Sequence, residues 1–180
     1  MSVLGLDIST ACTGWCILDK SSKILSIGFI DTSKEKCLYG KAGQVKKKLI
    51  SLMIDYEIDE IFIEQNLQSF RSGFSSANTL STLSRYNGII SYICYSDVGI
   101  KPDFINVNSA RKSLGIKILR KSQGGKQTKE QILDWALSNV DYQWPKKVLK
   151  SGPRKGQEIY DPRAYDMIDA YIVSSAGLVI

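Results

Sequence analysis

Three short apolar runs open the chain, and they are joined by links of only a few residues. Val3 to Ile8 reads as a candidate central strand, Thr13 to Leu18 as a second and Lys23 to Phe29 as a third. Asp19-Lys20-Ser21-Ser22 is a turn cluster between the last two. Runs spaced this closely predict an antiparallel meander. One residue breaks the pattern: Asp7 interrupts the first strand. Asp is rarely fully buried unless it is paired or holds a metal. An Asp at a strand end that caps a turn is the plainer alternative.

The period then changes. Val45, Leu49, Leu52, Met53 and Tyr56 fit one helix face, with Lys46, Lys47 and Lys48 mainly outside it. Glu60 to Glu64 predicts a fourth strand, apolar until the glutamate. Residues 65–76 are polar and read as a loop. Leu80, Leu83, Asn87, Ile90 and Cys94 form another helical stripe ending near Gly99, and Gly88 on it is expected at a close helix contact. Asp103 to Val107 predicts a fifth strand, with Asn108-Ser109 capping a short helix through Leu114. Lys117 to Gly125 is a basic loop. Thr128 and Gln131 suggest a capping box, opening a helix with Ile132, Leu133, Ala136, Leu137 and Val140 inward. Trp144 to Glu158, with its Pro–basic clusters, reads as a mobile loop. Asp161-Pro162 should start a last helix running to about Ala176. A three-stranded meander followed by helices alternating with two more strands gives an α/β, five-stranded mixed sheet flanked by helices. That order is the ribonuclease H-like fold. With 180 residues and 43% hydrophobic content the chain suits a single domain, 1–180.

Composition narrows the chemistry. The chain has no histidine, which excludes Ser-His-Asp and Cys-His catalysis and His-ligated zinc. Proton transfer must fall to carboxylates, Lys, Tyr, Cys or metal-bound water. The four cysteines (Cys12, Cys16, Cys37, Cys94) form no C-x-x-C pair, and two lie in strand-like text, which suggests buried free thiols. The opening residues lack signal-peptide character and no apolar run reaches membrane-span length, so the expectation is a soluble protein of a reducing, cytoplasmic compartment. The net charge of +6 is unevenly placed: residues 101–164 hold 14 Lys+Arg against 6 Asp+Glu. That concentration predicts a docking face for an anionic partner, since phosphate binding needs several cations on one side.

Four carboxylates are candidates for the chemistry. Asp7 and Glu64 end apolar strand text. Asp166 and Asp169, three apart on the terminal helix, lie on one face and repel each other unless a cation lies between them. A polar helix face is the simpler reading of that pair. Converging at one sheet edge, the four would make an oxygen-only site suited to magnesium, with manganese able to substitute. Two such ions clamp the attacking and leaving oxygens of a phosphodiester.

These residues also carry a family likeness. Gly5-Leu6-Asp7-Ile8-Ser9-Thr10-Ala11-Cys12-Thr13-Gly14-Trp15 resembles the opening motif of the RuvC Holliday junction resolvases. Glu64-Gln65 resembles the family's second acidic motif, and Asp166-Met167-Ile168-Asp169-Ala170 its C-terminal helix motif. Leu80 to Ile90 is similar to the helix that helps form the family's dimer. The resemblance implies a homodimeric, magnesium-dependent endonuclease that resolves four-way junctions and related branched DNA by paired nicks, with Asp7, Glu64, Asp166 and Asp169 as metal-binding catalytic residues. It places Arg111, Lys112 and Lys129 near the scissile phosphate. Lys117, Arg120, Lys121 and Lys126 could grip the backbone. Ser9 and Ile8 depart from the family's usual glycine and proline. Leu67 stands where bacterial members often carry an aromatic that unstacks the junction, so Phe70 or Phe74 is a substitute candidate. The segment from Trp144 to Glu158, with Lys146, Lys147, Lys150, Arg154 and Lys155, looks like an addition to the compact bacterial pattern, as in phage and viral relatives.

Other readings stay open. Gly-x-Asp-x-Ser on a first strand also resembles the phosphate motif of actin-like ATPases and sugar kinases, but those need two such domains and a second Gly-rich loop. A ribonuclease H-like nuclease acting on RNA or RNA–DNA hybrid would use the same four acids. A non-catalytic branched-nucleic-acid binding protein would not need all of them.

Overall fold

A computed structural model describes residues 2–65 and 77–179. Its centre is a five-stranded sheet built from β1 (Ser2–Ile8), β2 (Cys12–Asp19), β3 (Ile24–Asp31), β4 (Ile58–Glu64) and β5 (Asp103–Ile105). The spatial order is β3-β2-β1-β4-β5. The expected meander is present, since β1 pairs with β2 and β2 with β3 antiparallel. β4 and β5 then add parallel to β1. The α/β, ribonuclease H-like expectation therefore holds.

Helices cover both faces. On one side lie α1 (Leu38–Asp55) and α2 (Ala77–Ile93). The buried residues of α1 are Ala42, Val45, Leu49 and Leu52, the three-and-four spacing of an amphipathic helix. They pack with Leu4, Leu6, Ile61, Ile63, Tyr86 and Ile90. After α2 the chain takes a π-helical turn, Cys94–Val98, and stops at Gly99. The other face carries α3 (Val107–Ser113), α4 (Thr128–Asn139) and α5 (Arg163–Gly177). There Met167, Ile168, Ile172 and Val173 of α5 meet Val3, Phe62, Ile132 and Ala136. No helix among the described residues is long and apolar enough to cross a membrane.

The seat of α5 is unusually close. A Cβ on Gly14 would lie 1.9 Å from the carbonyl oxygen of Asp166, and one on Gly5 would lie 2.4 Å from that of Ala170. Both glycines sit in central strands, where side-chain-free positions mark close backbone approach. Helix backbone here rests directly on strand backbone.

Several local expectations change. The helix after β5 is capped by Asn106, not by Asn108-Ser109: its side chain accepts from the N–H groups of Asn108 and Ser109 at 2.9 and 3.4 Å. α4 is opened by Gln127, whose N–H meets the Glu130 carboxylate at 3.3 Å, rather than by Thr128. Gln131 is released from that box and instead holds the preceding loop. Its amide bonds the N–H and C=O of Leu119 and the C=O of Lys126. Leu137, expected inward, is 44% exposed because it falls one position off the buried Ile132, Leu133, Ala136 stripe. The close helix contact expected at Gly88 is absent among the described residues: a Cβ there would meet nothing within 4 Å, because this position of α2 is exposed.

The largest change concerns residues 144–158. Instead of an irregular loop they form an antiparallel ribbon of β6 (Lys146–Val148) and β7 (Glu158–Tyr160). Trp144 is buried at its base, packed edge-on against Tyr142 at 4.9 Å. The ladder continues through Leu149 N–H to Gln157 and Gly156 N–H to Leu149. The paired strands are three residues each and mostly exposed, so no hydrophobic alternation betrays them.

The glycine seat makes a direct prediction. Gly14→Ala forces a methyl into helix backbone that cannot yield, so it should destabilise the fold by about 3 kcal/mol in urea titration, at the upper end of overpacking costs. Gly88→Ala, in open space, should instead be stabilising by up to about 1 kcal/mol.

Candidate active site

β1 and β4 run parallel with Leu6 opposite Ile63, so Asp7 and Glu64 emerge side by side at the carboxyl ends of adjacent strands. Crevices at such strand ends are where open α/β sheets place ligands. α5 crosses β1 and β2 and brings in Asp169. Asp7, Glu64 and Asp169 each offer a carboxylate oxygen, all within 4.8 Å of one another. All three are half-buried, so the cluster is open on one side. Asp166, one turn earlier on α5, stands beside this trio. Its carboxylate accepts from the Cys12 thiol, and its charge is felt at Asp7. The Asp166–Asp169 pair therefore splits: three residues of helix rotate the two acids apart, and one of them joins the compact group.

Crowding shifts the acids. Burial pushes the Asp7 carboxyl well above its ordinary value, and Glu64, Asp169 and Asp166 add to the effect. Glu64 is raised to about 7 by burial and by Asp169. Asp169 and Asp166 are also raised, chiefly by burial. Like charges held this close resist ionising together. Two cations oppose the trend. The Arg111 guanidinium lies 3.5 Å from Asp169 and lowers both Asp169 and Glu64. Lys129 acts on Asp7, Asp166 and Asp169. Neither balances the cluster. A hard divalent cation would, and the donor set of carboxylate oxygens alone fits magnesium or manganese better than zinc or copper.

No protein-family model matches the chain. It is 30% identical over 120 residues to the crossover junction endodeoxyribonuclease RuvC of Ehrlichia canis (strain Jake), covering 62% of this chain and 76% of that protein. The chain belongs to the RuvC family. The RuvC of Rickettsia bellii (strain OSU 85-389) is 27% identical over 96 residues, 48% of this chain and 61% of that protein. Among solved structures, T. thermophilus RuvC in complex with a Holliday junction substrate superimposes with a TM-score of 0.62 at 11% identity, covering 98% of this chain and 93% of that one. The yeast mitochondrial Holliday junction resolvase Ydc2 gives 0.54 at 14% identity, over 98% and 77%. These two likenesses concern the fold.

Within this RuvC-type chain the basic candidates fall into distinct settings. Arg111, expected near the phosphate, lies 3.5 Å from Asp169 and is mostly covered. Lys112 and Lys117 border a small pocket with Arg111 and Asn108, and both are exposed. Arg120 is exposed and Lys121 lies in the single turn Lys121–Gln123. Lys126 is paired with Asp134 at 2.9 Å. Lys129 lies 5.7 Å from the centre of the Tyr165 ring, on the side of the acids. Leu67, Phe70 and Phe74 lie outside the described residues. Sequence reasoning did not find Arg111 as a partner of the acids or Cys12 as a donor to Asp166. Gly5 and Gly14, as the seat that aligns them, carried one signal: glycine inside strand text.

The raised acids set a pH test. Glu64 keeps its proton in the folded state up to about pH 7 but releases it near 4.5 when unfolded. The fold then binds more protons than the unfolded chain, so stability falls as pH rises across that window. In metal-free buffer Glu64→Gln should melt higher than the parent at pH 8. The difference should close toward pH 4.5, as read by calorimetry.

Proposed function

We propose that this protein is a metal-dependent, structure-selective endonuclease that resolves Holliday junctions and related branched DNA by paired nicks. The observation that carries the reading is the meeting of Asp7, Glu64 and Asp169 within 4.8 Å at the strand ends of a RuvC-type fold. Asp7, Glu64 and Asp169 would hold magnesium, and Asp166, whose charge reaches Asp7, would have to turn from Cys12 to complete the set. When bound, magnesium lowers the pKa of water and neutralises charge on the departing 3′-oxygen. The chain's own groups do the rest. The acids fix where the cation sits against the scissile phosphate, and Arg111 holds Asp169 in place. Lys112, Lys117, Arg120, Lys121 and Lys129 bind backbone phosphates and set the register of the strand, while Lys126 must first leave Asp134.

A homodimer suits this chemistry, because a twofold enzyme meets two equivalent strands of a twofold junction. The outward face of α2 supports that assembly: Tyr92 is exposed, and with Gly88 and Ile89 it lines a groove shared with Tyr39. A reducing, cytoplasmic setting is consistent with four free cysteines, three of them buried.

The reading is tested on labelled four-way junction, linear duplex and RNA–DNA hybrid, each with magnesium or with EDTA. Symmetric nicks confined to the junction and lost in EDTA are expected. Cleavage of the hybrid alone would sink the proposal. Asp7→Asn should bind the junction with near-parental affinity while its cutting rate falls at least a hundredfold, the scale of losing one charge-stabilising group. Retained cutting would remove Asp7 from the site.

A further inference from the structure

The β6–β7 ribbon has no part in the acid cluster, and its construction gives it a different role. Five of its side chains are cationic: Lys146, Lys147, Lys150, Arg154 and Lys155. Lys146 is held by Glu158 across the ribbon at 2.9 Å. Among the described residues, Lys150, Arg154 and Lys155 make no ion pair, and residues 150–158 are exposed throughout. Free cations gathered at one tip repel each other, and they contribute nothing to a core. Yet the segment is not loose coil. It has a ladder, and a turn in which Lys155 N–H bonds Gly152, whose φ of 81° needs no side chain.

An isolated two-stranded ribbon is marginal in water, so its base must hold it. The base is strongly held. Asp161 N–H bonds the carbonyl of Pro145 at 2.9 Å, tying the two strands together. The Asp161 carboxylate grips Arg163 through two bonds of 2.9 and 2.7 Å, which hold its pKa down to about 2. The same guanidinium reaches Asp31 at 3.1 Å and stacks 4.6 Å from the centre of Phe29. Arg163 thus bolts the ribbon to the end of β3 and to the first turn of α5. From Arg163 to Asp169 is ~9 Å along the helix axis, at 1.5 Å per residue. From Pro145 to Leu149, where the ladder ends, is ~13 Å of extended chain, at about 3.3 Å per residue, and the turn beyond it carries Lys150, Arg154 and Lys155.

We infer that the β6–β7 ribbon is an arm that grips the phosphate backbone of double-stranded nucleic acid flanking the active site, with Lys150, Arg154 and Lys155 as its contacts. The inference rests on the nuclease reading for where the duplex lies. Phosphates on one strand recur every 3.4 Å along the axis, so an arm of ~13 Å runs beside roughly four of them, enough for three cations. Its cations carry no base-reading geometry, so the arm adds affinity and orientation without sequence preference.

The test compares the parent with Lys150→Ala/Arg154→Ala/Lys155→Ala, full-length and in EDTA so that no cutting occurs. Affinity for a four-way junction and for a linear duplex is measured across a salt series. Each lost phosphate contact lowers the slope of log K against log salt by about 0.9, so the triple variant should lose roughly 2.7 and bind about tenfold or more weakly near physiological salt. Lys150→Arg/Arg154→Lys/Lys155→Arg should restore the slope. Lys20→Ala/Lys23→Ala removes charge from the β2–β3 turn, at the end of the sheet remote from Asp7, and should leave it unchanged. A slope change below one contact in the triple variant, or the same loss per charge in the Lys20/Lys23 control, overturns the proposal. So does a loss confined to vesicles of phosphatidylserine and phosphatidylcholine, which would assign the arm to a membrane. A parent that binds duplex but not junctions would sink the resolvase reading, yet leave the arm standing if duplex binding still showed the loss.

Discussion

The backbone contact between α5 and the strand pair β1–β2 is the constraint on which the rest of this structure depends. Two glycines, Gly5 and Gly14, remove the side chains that would hold helix and sheet apart. At that separation the helix can neither slide nor roll without driving its carbonyls into strand backbone. Its rotation is therefore fixed, and with it the direction of every acid it carries. Asp169 turns toward Asp7 and Glu64, while Asp166 turns toward Cys12. The same locked helix begins at Arg163, so it also fixes the root of the basic ribbon.

The site that results is costly to hold. Three half-buried carboxylates are brought together with only Arg111 and Lys129 to offset them, and burial raises every member above its ordinary range. Nothing in the packing asks for this arrangement, because apolar residues there would be more stable. Stability given up at one place, and offset by clusters of buried residues on both sheet faces, is the pattern the proposed chemistry would require.

Much of this was legible in the chain. The meander could be read from three apolar runs with short links, and the sheet class from the later alternation of strands and helices. Asp7 and Glu64 stood out as acids at the ends of apolar text, and Asp166 and Asp169 as a pair three apart on one helix. What could not be read shares one cause: it depends on how elements sit against each other. Whether Asp166 or Asp169 joins Asp7 is decided by the rotation of α5, which the spacing of three leaves open. Arg111 could be placed near the phosphate by resemblance, but its pairing with Asp169 shows only once α3 lies beside α5. The ribbon escaped notice because its strands are short, polar and stabilised from their base by Trp144 and Arg163, not by a pattern of their own. The cap at Asn106 and the box at Gln127 were each missed by a residue or two, as helix ends commonly are.

The order of the acids along the chain has a consequence for when the protein becomes dangerous. Asp7 and Glu64 belong to strands made early, whereas Asp169 arrives only with α5, the last helix described. Domains fold as units. Because α5 supplies both Asp169 and much of the core on its face of the sheet, the three acids should come together only in the step that completes the fold. On the proposed nuclease reading, a partly folded chain would then carry no assembled site.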